Sequence, residues 1–141
     1  MSRYAEGTTV TVESSRGEIT GILVKHGVTR MGWSSEPEGD TLMFSLSGFQ
    51  FRFEISRPTW AEISGRYAQP WRIDEAKALA AEWRRRWRAN VLLLKAKLEF
   101  IESGDSTLTR ELLPYAVLND GRTLEQAVTA GGFLQLAAGK P

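Results

Sequence analysis

The run from Asp74 to Ser103 constrains this chain more than any other segment. Sorted at 100° per residue, Ala76, Ala80, Trp83, Trp87, Val91, Leu94, Leu98 and Ile101 fall on one apolar stripe, the pattern of an amphipathic helix. A helix of that length must be covered along most of one side. Within it, Trp83-Arg84-Arg85-Arg86-Trp87-Arg88 places four arginines and two tryptophans in six residues. The stripe assigns the tryptophans to the core, against a face carrying Phe51 and Phe53. Lys77, Arg84, Arg88 and Lys95 form a second stripe about a quarter turn away. A second apolar face, Ala89, Leu92, Leu93, Ala96 and Phe100, means that the C-terminal half needs cover on two sides. Leu108, Leu112, Leu113, Leu124 and Val128 of the segment from Ser106 to Leu136 are expected to supply part of that cover. A second copy of the chain, pairing long helix with long helix as a homodimer, is expected to supply the rest.

The material for the cover lies upstream. Thr41 to Leu46 and Phe49 to Ile55 alternate apolar and polar residues, with Leu42, Phe44 and Leu46, then Phe49, Phe51, Phe53 and Ile55, on the inner face. Ser47-Gly48 reads as a two-residue turn, and Glu36 to Asp40 as another. With a short strand at Arg30 to Ser34 this makes an antiparallel meander, greasy on one side. Ser15-Arg16-Gly17-Glu18 fits a capping box, so a short helix is expected from there to Gly27, burying Ile19, Ile22, Leu23 and His26. Asp74 and Glu75 suit the start of the long helix, and Gly104 its end. Thr123-x-x-Gln126 is a second capping box, opening a last helix that Gly131-Gly132 interrupts. Gly139-Lys140-Pro141 is expected to fray.

The expected organisation is a single α+β domain over residues 1–141. Residues 1–13 form an extended arm, with Thr8 to Val12 able to add an edge strand. Residues 14–56 hold the short helix and the meander, 57–73 an irregular link, 74–103 the long helix and 104–141 small C-terminal helices. The fold is thus a three-stranded antiparallel sheet covered by a short N-terminal helix and one long helix, with a small helical C-terminal segment. Its order α-β-β-β-α resembles that of the double-stranded-RNA-binding domain in topology alone. The basic cluster that such domains carry at a second-helix N-terminus is replaced here by Asp74 and Glu75, and topology does not license function.

Catalytic chemistry finds little to work with. The single histidine, His26, has no cysteine and no second histidine beside it, so a triad or zinc site lacks ligands. Capping a helix end suits it better. Glu36, Glu38 and Asp40 share a turn without the rest of a calcium loop and read as a solvated acidic turn. Glu75-x-Lys77 echoes a nuclease pair but lies on a helix, without strand-borne acids. No phosphate-cradling glycine loop is present. A non-enzymatic protein without metal or cofactor is expected. No apolar run approaches the roughly 20 residues of a membrane span. The first six residues lack the apolar core of a signal peptide. With no cysteine in the chain, a cytoplasmic protein is the default expectation.

Charge gives the functional hint. Net charge is +1, yet Arg57 to Lys97 holds ten Lys/Arg against four Asp/Glu, and the remainder eight against thirteen. Either an anionic partner is bound, or the acidic and basic parts face one another inside the fold. For the first case, the candidate nucleic-acid contacts are Lys77, Arg84, Arg85, Arg88 and Lys95 on the long helix. Arg57, Arg66 and Arg72 in the link add cations, and Trp60 and Trp71 add stacking surfaces. Lys77 to Lys95 spans about 27 Å of helix, enough for several phosphates, each releasing counterions when neutralised. Aromatics among arginines suit unstacked single strands. Alternatively, Trp60 and Trp71 pin the link to the core.

Several pieces across the chain resemble a family of small phage and prophage proteins: Arg3-Tyr4-Ala5-Glu6, Ser15-Arg16-x-Glu18-Ile19, Arg52-Phe53, Trp83-Arg84, Lys95-Ala96-Lys97-Leu98-Glu99, Glu102-Ser103-Gly104 and Asp120-Gly121-Arg122-Thr123. The resemblance implies a phage-encoded accessory protein acting in a host bacterial cytoplasm, and it assigns no catalytic or binding residue. Two kinds of work follow as expectations. The first is binding nucleic acid through the basic helix edge. The second is binding and inhibiting a host defence or DNA-processing enzyme. A structural role in a phage particle ranks third.

Overall fold

The structure, a computed structural model, describes residues 3–132 and residue 134. It is an α+β fold in which α1 (Val12–Lys25) leads into a three-stranded antiparallel meander, β1 (Arg30–Glu36), β2 (Gly39–Leu46) and β3 (Phe49–Ser56). A short helix, α2 (Trp60–Ile63), and two single-turn 3-10 segments interrupt the link that was expected to be irregular. Thr59 and Glu62 form a capping box around α2, a signal present in the sequence but overlooked there. The long helix α3 (Glu75–Ser103) follows, then α4 (Leu108–Leu112) and α5 (Leu124–Gly131).

Helix ends follow the local chemistry. Asp74 caps α3 by accepting the Lys77 N–H, and Gly104 ends it in the left-handed conformation at φ 83°. Thr123 and Gln126 form the expected capping box of α5. The start of α1 differs from expectation. Thr11 is its cap, accepting the Ser14 N–H at 3.1 Å, so the helix opens four residues before the Ser15–Glu18 box. Starting there puts Ser15, Ile19 and Leu23 on one buried line, spaced four apart. It frees Glu18 to meet Arg88. It also removes the edge strand expected at Thr8 to Val12. The arm is not extended: residues 4–7 form a turn, and Arg85 donates to the Tyr4 carbonyl, holding the arm to α3.

The sheet is the expected antiparallel meander, with Leu46 paired to Phe49 across the Ser47-Gly48 turn. Trp33, Leu42 and Phe53 lie side by side across the strands, as do Met31, Phe44 and Phe51. These rows make one face apolar. Phe49, assigned inward by alternation, is instead 60% exposed, because it follows the Ser47-Gly48 turn where the sheet ends. Both turn residues have positive φ, 54° and 82°, the two-residue geometry that matches strand twist and that glycine accommodates at its second position.

α1 and α3 cover the apolar face. They run side by side in the same direction, since Glu18 meets Arg88 and His26, the C-cap of α1, meets Glu102 at 3.0 Å. The core joins Ile19 and Leu23 of α1, Leu42, Phe44, Phe51 and Phe53 of the sheet, Val91, Leu94 and Leu98 of α3, and Leu112 of α4. Trp87 is fully buried, as expected, but the ring facing it is Trp33 at 5.0 Å. Phe51 and Phe53 pack on Phe44 instead, and Phe53 stacks on Tyr115 at 3.8 Å. Trp83 is half-buried, and Ala76 and Ala80 are exposed, because α3 extends past the sheet at its N-terminal end.

The C-terminal segment closes the β3 edge. Ala116 bridges Phe51, the Val117 N–H donates to the Gln50 carbonyl, and Arg52 donates to Gly121 and Gln126. It therefore does not cover the second apolar face of α3. Leu112 enters the main core and Leu108 packs against it. Leu93, Ala96 and Phe100 remain exposed, Phe100 by 53%. The expectations for Leu136 and for Gly139 to Pro141 fall outside the described residues.

Candidate nucleic-acid interface

The arginine cluster of α3 divides by helical angle, and each member has a different partner. Glu82 lies three residues before Arg85 and four before Arg86, so both guanidiniums reach it, at 2.8 and 3.0 Å. Arg66 from the link joins at 3.1 Å, and Arg3 approaches to 3.8 Å. Glu82 is only 4% exposed. Burial pulls its pKa up, but hydrogen bonds from Arg85, Arg86 and Arg66 outweigh that and hold it at about 2. Arg86 also donates to Glu62 of α2 and to the Ser56 carbonyl, stapling α3 to the end of β3.

Asp40 is the second hub. It was read as part of a solvated acidic turn, yet it is 3% exposed while Glu36 and Glu38 are exposed. Its pairing with Ile55 in the sheet turns the side chain away from water, toward Arg16 at 2.9 Å, Ser35 at 2.5 Å and Arg57 at 3.6 Å. Arg57 in turn stacks on Trp83, with Cζ 4.4 Å from the ring centroid.

These pairs decide which candidate contacts are free to bind an anion. Arg57, Arg66, Arg85 and Arg88 are committed to Asp40, Glu82, Glu82 and Glu18. Arg85 also leaves the proposed edge altogether, since it faces the N-terminal turn. Part of the charge asymmetry along the chain is thus resolved internally, since Arg57 meets Asp40 of the first hairpin, Arg88 meets Glu18 of α1 and Lys97 meets Glu111 of α4. Lys77, Arg84 and Lys95 remain on one edge of α3 with no ion-pair partner among the described residues, as does Arg72. Lys77, Lys95 and Arg72 are exposed and Arg84 half-buried. Trp60 is half-buried and stacked at 6.1 Å on Tyr67, itself a residue of the link. Trp71 is 77% exposed, beside Arg72 and just ahead of α3.

Sequence reasoning missed Glu82, Asp40 and Arg16. The spacing of Glu82 to Arg85 and Arg86 was a readable signal; the reach of Asp40 to Arg16 and Arg57 depends on the fold and was not. Among the described residues no three His, Asp or Glu side chains gather as a metal site, and no helix is long and apolar enough to cross a membrane.

No protein-family model matches the chain, and neither a curated protein nor a solved structure shows significant similarity to it. The order α-β-β-β-α therefore carries no function by analogy.

Proposed function

We propose that the protein is a non-enzymatic nucleic-acid-binding accessory protein, phage-encoded as its family resemblance implies, acting through the edge of α3. The observation that carries this is the survival of Lys77, Arg84 and Lys95, unpaired among the described residues, on one helix edge where the neighbouring arginines are neutralised. Lys77 and Lys95 are eighteen residues apart with Arg84 between them, so a strand lying along α3 meets all three within about 27 Å. Exposed Trp71 and Arg72, at the same end as Lys77, offer a base-stacking surface of the kind single strands use.

Charge reversal on the unpaired cations is the direct test. Lys77→Glu with Lys95→Glu should abolish oligonucleotide binding at low salt while leaving the circular dichroism spectrum unchanged. Arg88→Glu is the wrong probe, because it sets a second carboxylate against Glu18 between α1 and α3. Wild-type affinity in the double variant would remove the proposed edge from the account.

The outward face of α3 favours a second element of the proposal. Ala89, Leu93, Ala96 and Phe100 recur at intervals of four, three and four residues, the spacing that pairs helices. We assign that face to a second copy of the chain, which would set two basic edges on one particle. The runner-up function, inhibition of a host defence or DNA-processing enzyme, would use the same face for the host protein. Pull-down from host lysate with and without nuclease separates the two: nuclease-sensitive recovery favours nucleic acid, nuclease-resistant recovery of one host enzyme the inhibitor.

A further inference from the structure

A cleft of about 390 Å³ opens where the N-terminus of α1, the first hairpin and the upper part of α3 meet. Arg16 of α1, Ser35 and Asp40 of the hairpin, Arg57 after β3, and Trp83 and Arg84 of α3 line it. Asp40 is the one buried carboxylate there, and its oxygens are taken. Oδ2 accepts from Arg16 Nη2, while Oδ1 accepts from Ser35 and lies 3.6 Å from Arg57 Nη2. Each guanidinium spends one edge on this carboxylate. Their Nε–H groups are buried without a partner among the described residues, while the side chains as a whole, 38% and 40% exposed, line the cleft. The buried side-chain polar atoms that lack a partner among the described residues are Ser15 Oγ, Arg16 Nε, Arg57 Nε and Trp87 Nε1. Arg16 and Arg57 line the cleft, while Ser15 and Trp87 are fully buried and do not.

Tryptophan faces fix the planes of the two guanidiniums. Arg57 lies 4.4 Å over Trp83, and Arg16 lies 5.0 Å over Trp87 and 5.7 Å over Trp33. Stacking holds a planar fork while leaving its in-plane N–H groups available to an anion. Arg84 adds a third guanidinium with no carboxylate partner among the described residues. Exposed Glu13 at the rim opposes them, but three arginines against two carboxylates leave the cleft net positive. The opening of α1 adds to this, because the Thr11 side chain satisfies the Ser14 N–H and the N–H groups of the first turn point outward.

We propose that this cleft is a phosphate-binding subsite, in which a phosphoryl group seats among the guanidinium groups of Arg84, Arg16 and Arg57 that line it. Two sources carry that chemistry, a nucleic-acid strand and a free nucleotide or pyrophosphate. Because Arg84 also belongs to the basic edge, a strand on α3 would place a phosphate here, and to that extent the subsite rests on the nucleic-acid reading.

The test follows the arginine Nε–H and tryptophan indole signals of the full-length, nitrogen-15-labelled protein. Pyrophosphate should shift the signals of Arg16, Arg57, Arg84 and Trp83 saturably, leaving the Lys77 and Lys95 amides in place. Arg84→Gln should weaken this about tenfold, the loss of a charge-assisted pair, without moving the melting temperature. Lys77→Gln should not affect it. Unmoved cleft signals, or equal shifts in Arg84→Gln, overturn the subsite. A single-stranded oligonucleotide forms the second arm. If it binds while neither it nor pyrophosphate moves the cleft signals, the subsite fails and nucleic-acid binding stands. If pyrophosphate seats in the cleft and no oligonucleotide binds, the subsite stands with a small phosphate ligand, and it is the nucleic-acid reading that fails.

Discussion

Glu82 and Trp87, one buried acid and one buried ring, hold the upper half of α3 in place. Trp87 is fully buried against Trp33, so Trp87→Ala should cost about 3–5 kcal/mol through lost burial and a cavity, read by denaturant unfolding. A variant with unchanged stability but lost ligand binding would instead make the tryptophans a stacking surface. Glu82 makes a pH prediction. Its folded pKa, about 2, lies below the ordinary 4.5, so its contribution is complete above pH 4.5 and is lost as pH falls toward 2. That shift corresponds to roughly 3 kcal/mol, and Glu82→Gln should flatten the stability curve across this window. An equally steep acid limb in the variant would assign acid unfolding to other carboxylates. At this scale the sequence was half legible. Helical angle put Trp87 in the core, because burial follows periodicity. Angle alone did not show that Arg57, Arg66, Arg85 and Arg88 were spent, because three of the four pairs they form join distant parts of the chain.

The elements were the most readable level. The long helix, the meander and the α5 capping box follow from residue period and cap chemistry, which act over a few neighbours. The start of α1 was misread because Thr11 and Ser15 both offer capping oxygens. Packing chose the one that buries Ser15. α2 was missed because four residues are too few to show a period. Two kinds of glycine now separate. A Cβ at Gly39, where φ is 154°, would sit 2.3 Å from the Ile55 carbonyl oxygen, so Gly39→Ala should cost about 2–4 kcal/mol by strained backbone and clash. Gly17 and Gly21 lie inside α1 with open space around them, so alanine there should stabilise by roughly 0.5–1 kcal/mol each. Thermal unfolding of the three variants checks the contrast, and a stabilising Gly39→Ala would show that the hairpin shifts freely.

For the whole molecule, two surfaces of α3 remain uncovered, one basic and one apolar. The C-terminal segment closes the β3 edge, so Leu93, Ala96 and Phe100 stay open. Light scattering at micromolar concentration should report a dimer, and Leu93→Glu with Ala96→Glu should split it; a monomeric wild type would end the twofold proposal. The cations that nominate the long helix as the binding element were readable in the sequence, whereas the smaller set left without an ion-pair partner among the described residues was not, since pairing is a property of the assembled fold. The most direct measurement of the central claim is the affinity for a short labelled single strand as a function of salt. Three cations, Lys77, Arg84 and Lys95, should give a log–log slope of roughly −2 to −3, falling by about one unit in Lys77→Gln. Binding that ignores salt, or none at low salt, would contradict the account.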